Sequence, residues 1–244
     1  MATDRERELF ASKILSVVGE HAKELGSTEL TGFLAMKGHA YDGGLMVIGR
    51  SVNGWRVTIT PDKLRSSDEV NRFARAVQES VNGKDGKCPM LWVTELWGAR
   101  EDYDTKHSAF WRCIRKVVQE LDIANVEDAN WPSHLVWSNL YKLSPAEGGN
   151  PGSRLREIQF PGCIELLKLE IQIYRPSRVL FLTGIDWAEP FLKKVFEMAQ
   201  FQDIKSTYVE RVGDAHGTRF VIAVHPQGKE EKKWVEEVVK AFKL

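Results

Sequence analysis

Arg178-Val179-Leu180-Phe181-Leu182-Thr183-Gly184 follows the apolar, helix-like stretch Cys163 to Tyr174 after almost no linker, and a second helical stretch, Trp187 to Ala199, comes soon after. A continuous apolar run held between helices reads as a strand buried on both faces of a parallel sheet. Three more runs have the same form. Leu45-Met46-Val47-Ile48 enters Gly49-Arg50-Ser51-Val52-Asn53-Gly54-Trp55, Leu135-Val136-Trp137 enters Ser138-Asn139, and Arg219 to Val224 enters His225-Pro226. Each run ends on a polar element, and in open α/β sheets ligands bind outside the carboxyl ends of the strands. An Asn, a Gly-rich loop and a His are therefore expected at one sheet edge.

Helical signals alternate with these runs. Thr3 and Glu6 have capping-box spacing ahead of Phe10, Ile14 and Val18, with Gly26 as the stop. Ser66 and Glu69 open a second helix striped by Val70, Phe73, Ala74, Val77 and Val81; a third starts near Asp104 and carries Phe110, Ile114, Val117 and Leu121. A fourth is bounded by Pro161 and Pro176. Trp187 to Ala199 forms a fifth with Pro190 in its first turn, and Trp234, Val235, Val238, Val239 and Phe242 mark the last. Asp186 is the expected N-cap of the fifth helix, where free amides could also receive a phosphate. Trp55 to Ile59 reads as a short extra strand, and Tyr208 to Val212 and Thr218 to Val224 as a hairpin around the loop 213–217. The sum is an α/β fold: a three-layer α/β/α sandwich around a central, mostly parallel, four-stranded sheet, formed as one domain over residues 1–244.

Composition narrows the functional classes. The 34 basic and 34 acidic residues cancel, so no global field draws the protein to nucleic acid, although a local basic groove is compatible with this balance. Cys88, Cys113 and Cys163 lack paired spacing, which points to a reducing, cytoplasmic setting, and no His/Cys/Asp cluster has metal-ligand spacing. No apolar stretch approaches the roughly 20 residues of a membrane span. Neither a cofactor, a metal nor a membrane partner is expected.

At the strand ends the chain resembles the uracil-DNA glycosylase superfamily. Trp137-Ser138-Asn139-Leu140-Tyr141-Lys142 is similar to the family's strand ending in a base-reading Asn, and Ala223-Val224-His225-Pro226 to the motif whose His approaches the scissile bond. Between them lie a Pro- and Gly-rich loop, a helix running through Glu165 and Glu170, and the strand at Arg178. Gly49 to Trp55 stands where the family has its water-activating loop. Family loops carry an acid or amide one or two residues after the Gly; here those positions are Arg50 and Ser51, and the nearest amide is Asn53. The resemblance implies excision of a damaged or modified base from DNA by base flipping. The alternative is a non-catalytic nucleotide- or DNA-binding module on the same fold.

In that scheme Asn139 reads the base edge, offering donors and an acceptor; as a strand-end residue it is equally suited to turn the chain. His225 would stabilise charge on the departing base, or be held by backbone beside Pro226. Asn53, with the Gly49 loop, would position water, while Asn53-Gly54 is also a strong turn dipeptide. Trp55 is the candidate for stacking on the base, with hydrophobic packing as its other role. Arg50, Lys142, Arg154 and Arg156 are the candidates for DNA contacts, against the default of a solvated, salt-bridged surface.

Overall fold

The computed structural model describes residues 2–100, 103–196 and 200–244. In chain order the first elements are α1 (Asp4–Phe10), α2 (Ser16–Glu20), α3 (Ala22–Leu25), β1 (Leu30–Gly32), β2 (Met36–Lys37), β3 (Leu45–Gly49) and β4 (Thr58–Ile59). Next come α4 (Ser67–Val81), α5 (Trp92–Glu95), α6 (Ala109–Glu120), β5 (Leu135–Asn139), β6 (Leu143–Pro145) and α7 (Ser153–Tyr174). The chain closes with β7 (Arg178–Phe181), α8 (Ile185–Val195), β8 (Gln200–Asp203), β9 (Val209–Ala215), β10 (Thr218–Ala223) and α9 (Glu231–Lys243).

The fold is mixed α/β, and its main sheet has seven strands in the order β2-β5-β3-β7-β10-β9-β8, not the four expected. The four expected strands are consecutive neighbours within it, β5-β3-β7-β10. β7 runs parallel to both β3 and β10, whereas β9 is antiparallel to both β10 and β8, so the sheet is mixed. The additional edge strands escape a sequence reading because β2 is two residues long and β8 is polar at Gln200, Gln202 and Asp203. Short, polar edges are how sheets avoid pairing with other chains. The stretch Trp55–Ile59 supplies only β4, which joins a separate three-stranded antiparallel sheet, β4-β1-β6.

Helix starts follow the sequence in part: α4 begins at Ser67 as expected, but the Ser66 side chain makes no capping hydrogen bond. The capping box at Thr3 and Glu6 forms in full, but one π turn over Ala11–Leu15 and a break at His21 interrupt the helix before Gly26. Asp104 caps a short 3-10 turn by accepting from Lys106 N at 2.8 Å, and α6 begins only after Ser108. α7 starts at Ser153 and runs through Pro161. A mid-helix proline removes one hydrogen bond and crowds the preceding turn, but Leu155 and Ile158 lie on the same buried stripe as Cys163, Leu166 and Leu167. Burial on that stripe carries the helix across the proline. α8 starts at Ile185 behind Gly184, not at Asp186, and the Ile185 amide donates to Glu210 Oε2 at 2.7 Å, so a protein carboxylate holds the place proposed for a phosphate. Residues 197–199, the expected end of this helix, lie outside the described residues. In the hairpin, Gly213–Ala215 continue β9, and the turn narrows to His216 and Gly217, both left-handed at φ 50° and 80°. Two left-handed residues match the twist of paired strands.

The chain divides into two compact units. The first comprises residues up to Met36, Gly49–Asp85 and Ser138–Tyr174; the second comprises Lys37–Ile48, Gly86–Trp137 and Arg175–Leu244. In the first, α1, α2, α4 and α7 pack together around Phe10, Ile14, Val18, Phe73, Val77 and Leu166. In the second, α8 and α9 pack on β10 and α6 packs on α9, around Trp111, Phe191, Phe220 and Trp234. Among the described residues no helix is long and apolar enough to cross a membrane.

Candidate functional site

Asn139 ends β5 with 1% of its surface exposed, and among the described residues its Nδ2 is buried without a hydrogen-bond acceptor. A buried donor left unmet costs about 1–3 kcal/mol, so such a group calls for a specific explanation. The backbone amides from Leu140 to Leu143, by contrast, all have partners. Leu140 N donates to Gly49 O at 2.9 Å and Tyr141 N to Arg50 O at 3.0 Å, which brings the Gly49 loop alongside the segment leaving β5. Lys142 N and Leu143 N both donate to Gln159 Oε1, at 3.0 and 2.9 Å, and Lys142 O accepts from Phe33 N at 2.9 Å.

Lys142 was expected at a phosphate, but it has 0% exposure and turns inward to Glu170, also at 0%, with Nζ 2.6 Å from Oε1. The same Nζ donates to Ser138 Oγ at 2.7 Å, and Ser138 Oγ donates to Glu170 Oε2 at 2.8 Å. Three polar side chains thus close a triangle that excludes solvent. Burial pushes the Glu170 carboxyl up, and the Lys142 ammonium opposes that shift. Next along α7, Tyr174 OH donates to the buried Glu6 at 2.8 Å, so the N-terminal capping box is tied into the core of the first unit.

Asn53 is exposed, and its Oδ1 accepts from Gly149 N at 2.6 Å. Ser51 Oγ donates to Asn150 at 3.3 Å and Ser144 Oγ to Val52 O at 2.6 Å, which laces the Gly49–Gly54 loop to β6 and to the loop ahead of α7. Gly54 at φ 72° makes the turn that the Asn-Gly dipeptide announces. Trp55 packs edge-on against Phe33 at 5.4 Å and donates from Nε1 to Ser80 Oγ at 3.0 Å, so its ring is engaged with β1's exit and α4. Arg154 pairs with Glu24 at 2.6 Å and Glu157 at 3.1 Å, the salt-bridged alternative. Arg50 and Arg156 are half-buried, and burial pushes the Tyr141 hydroxyl up, with the positive charge of Arg156 opposing that shift.

His225 belongs to the second unit. Its Nδ1 accepts from Gln227 N at 3.2 Å, so the neutral ring carries its proton on Nε2. The imidazole lies 6.3 Å from the Phe110 ring at 26°. Val224, just before it, is fastened at both polar atoms: its N donates to Tyr208 O, and its O accepts from Trp234 Nε1, each at 2.9 Å.

The side chains gathered at the end of β5 can recognise a ligand by hydrogen bonding. Burial pushes the Cys113 and Cys163 thiols up to about 12, which keeps both protonated. Among the described residues no group of three or more His, Cys, Asp or Glu side chains could hold a metal ion. Ser138, Gln159 and Glu170 were missing from the sequence-based site. Gln159 and Glu170 occupy positions on the apolar stripe of α7, between Leu155, Cys163, Leu166 and Tyr174, and that misfit is the sequence signal for a buried polar network. Compared with known proteins, the chain matches no family model and no curated sequence.

Proposed function

We propose that this chain is a DNA glycosylase-like protein that flips a damaged or modified base and hydrolyses its N-glycosidic bond, on a three-layer core of the uracil-DNA glycosylase type. The observation that carries this reading is the buried Nδ2 of Asn139 at the end of β5, which has no hydrogen-bond partner among the described residues. It is a donor held out of water, suited to a carbonyl or ring nitrogen on a base edge. The adjacency of β5, β3, β7 and β10 supports the fold part of the reading. Water would add to C1′ as the C1′–N bond breaks, with the bonding pair leaving on the base. His225, protonated on Nε2, would donate to the charge developing on a base carbonyl, and the proton released by water would end on the base.

One observation favours a second reading, a binding module without catalysis. Asn53 Oδ1 is occupied by Gly149, leaving the donor end of the amide, which can hold a water's oxygen but takes no proton from it. An abasic-site assay separates the two. Single- and double-stranded oligonucleotides, each carrying one modified base, are incubated with protein and then treated with alkali. A glycosylase cuts at least one substrate, and His225→Ala lowers that rate about 100-fold or more, the usual loss for a donor to developing negative charge. Retarded DNA with no cleavage anywhere in the panel would make the binding module the correct account.

A further inference from the structure

We propose that the Ser138–Lys142–Glu170 triangle is a positioning device that holds the Asn139 amide ready for its ligand, an inference that takes its functional meaning from the base-recognition reading above. Ser138 precedes Asn139 directly and Lys142 follows three residues later, so the triangle grips the chain on both sides of it. Burying an ion pair is a poor route to stability, because the desolvation penalty can exceed the attraction gained. Its use is better sought in what it fixes.

Between these two anchors every backbone amide from Leu140 to Leu143 has a partner. Asn139 Nδ2, in the middle of this clamped segment, has none among the described residues. An amide on a mobile segment would rotate or shift until a neighbouring carbonyl satisfied it. A donor stays unmet only where its surroundings cannot relax toward it, and Glu170 and Gln159 supply that rigidity from α7 by holding Ser138, Lys142 and Leu143. The ordering is completed during folding, so the ligand meets a donor already aimed.

The test uses the full chain with two variants. Ser138→Ala/Lys142→Met/Glu170→Leu replaces the whole triangle by apolar groups of similar size, and Ser138→Ala removes only the link beside Asn139. Each is followed by urea unfolding and by the side-chain amide signals of Asn139 in ¹⁵N–¹H spectra of the ligand-free protein. The wild type should give one sharp pair of Asn139 signals. The triple variant should remain folded while that pair broadens or splits, and excision at saturating substrate should fall about 10- to 100-fold, the scale of an ångström-sized misplacement. If the triple variant fails to fold, the same spectral change in Ser138→Ala decides the matter. A folded variant with an unmoved Asn139 pair overturns the inference. Absence of excision by the wild type would instead defeat the glycosylase reading, and the spectra would still decide the positioning role.

Discussion

Asn139 offers a separation of function from stability at the scale of one residue. A side chain that satisfies its neighbours is costly to remove, whereas one that leaves a buried donor unmet is not. Asn139→Leu is therefore expected to leave the urea midpoint unchanged or to raise it, by up to about 1 kcal/mol of stability, while abolishing base excision or ligand binding. A loss above about 2 kcal/mol, on the scale of a broken buried hydrogen bond, would mean that the amide is a structural group. Of the residues singled out from sequence, Asn139 combines burial with an unmet donor, while Lys142 is consumed by Glu170. The difference was not legible locally. Lys142 follows a polar strand end and looks like a solvent residue; only the approach of α7 turns it inward.

At the scale of elements, polar contacts between helices set how stability follows pH. Arg112 of α6 holds Glu231 of α9 through Nε at 2.9 Å and Nη2 at 2.5 Å, with Lys116 adding a contact at 3.4 Å. The Arg112 guanidinium keeps the Glu231 carboxyl below its ordinary 4.5, against a smaller opposing effect of burial. A carboxyl lowered by folding contributes stability above its unfolded value, and that contribution is lost as pH falls through the folded value. Both side chains are partly exposed, so screening limits the pair to about 1 kcal/mol. Glu231→Gln should thus lower stability by about that amount at pH 7, and the difference from wild type should shrink toward zero as pH falls below 4.5 in urea titrations. A difference that persists to strongly acidic pH would show that the carboxylate's charge is not what joins the two helices. The capping box of α1 and the stripes of α4, α6 and α9 were readable because they depend on residues three or four apart. The start of α7 was not, because Pro161 sends a local stop signal that burial of Leu155 and Ile158 overrides.

For the whole molecule, the chain crosses between its two compact units several times, at Met36, Ile48, Asp85, Trp137 and Tyr174, so each unit is assembled from distant segments. β3 illustrates the consequence: Leu45 to Ile48 pair in register with Arg178 to Phe181, more than a hundred positions later. The fragment 1–174 contains every segment of the first unit, yet leaves β3 without β7. Its second-unit segments are expected to stay unfolded and to give no near-ultraviolet circular dichroism, because the apolar strand Leu45–Ile48 has lost its partner. Native near-ultraviolet circular dichroism from Trp92, Trp111 and Trp137 in that fragment would show that β7 is dispensable to those segments.

Sequence by itself determined the α/β class, the four apolar strands, most helix stripes and the polar residues at strand ends, since these follow from alternation, period and caps within a few neighbours. Tertiary structure alone decided the seven-stranded sheet, the inward turn of Lys142 and the unmet Nδ2 of Asn139. Each depends on which distant groups come within hydrogen-bonding distance, and a linear order of residues does not specify that.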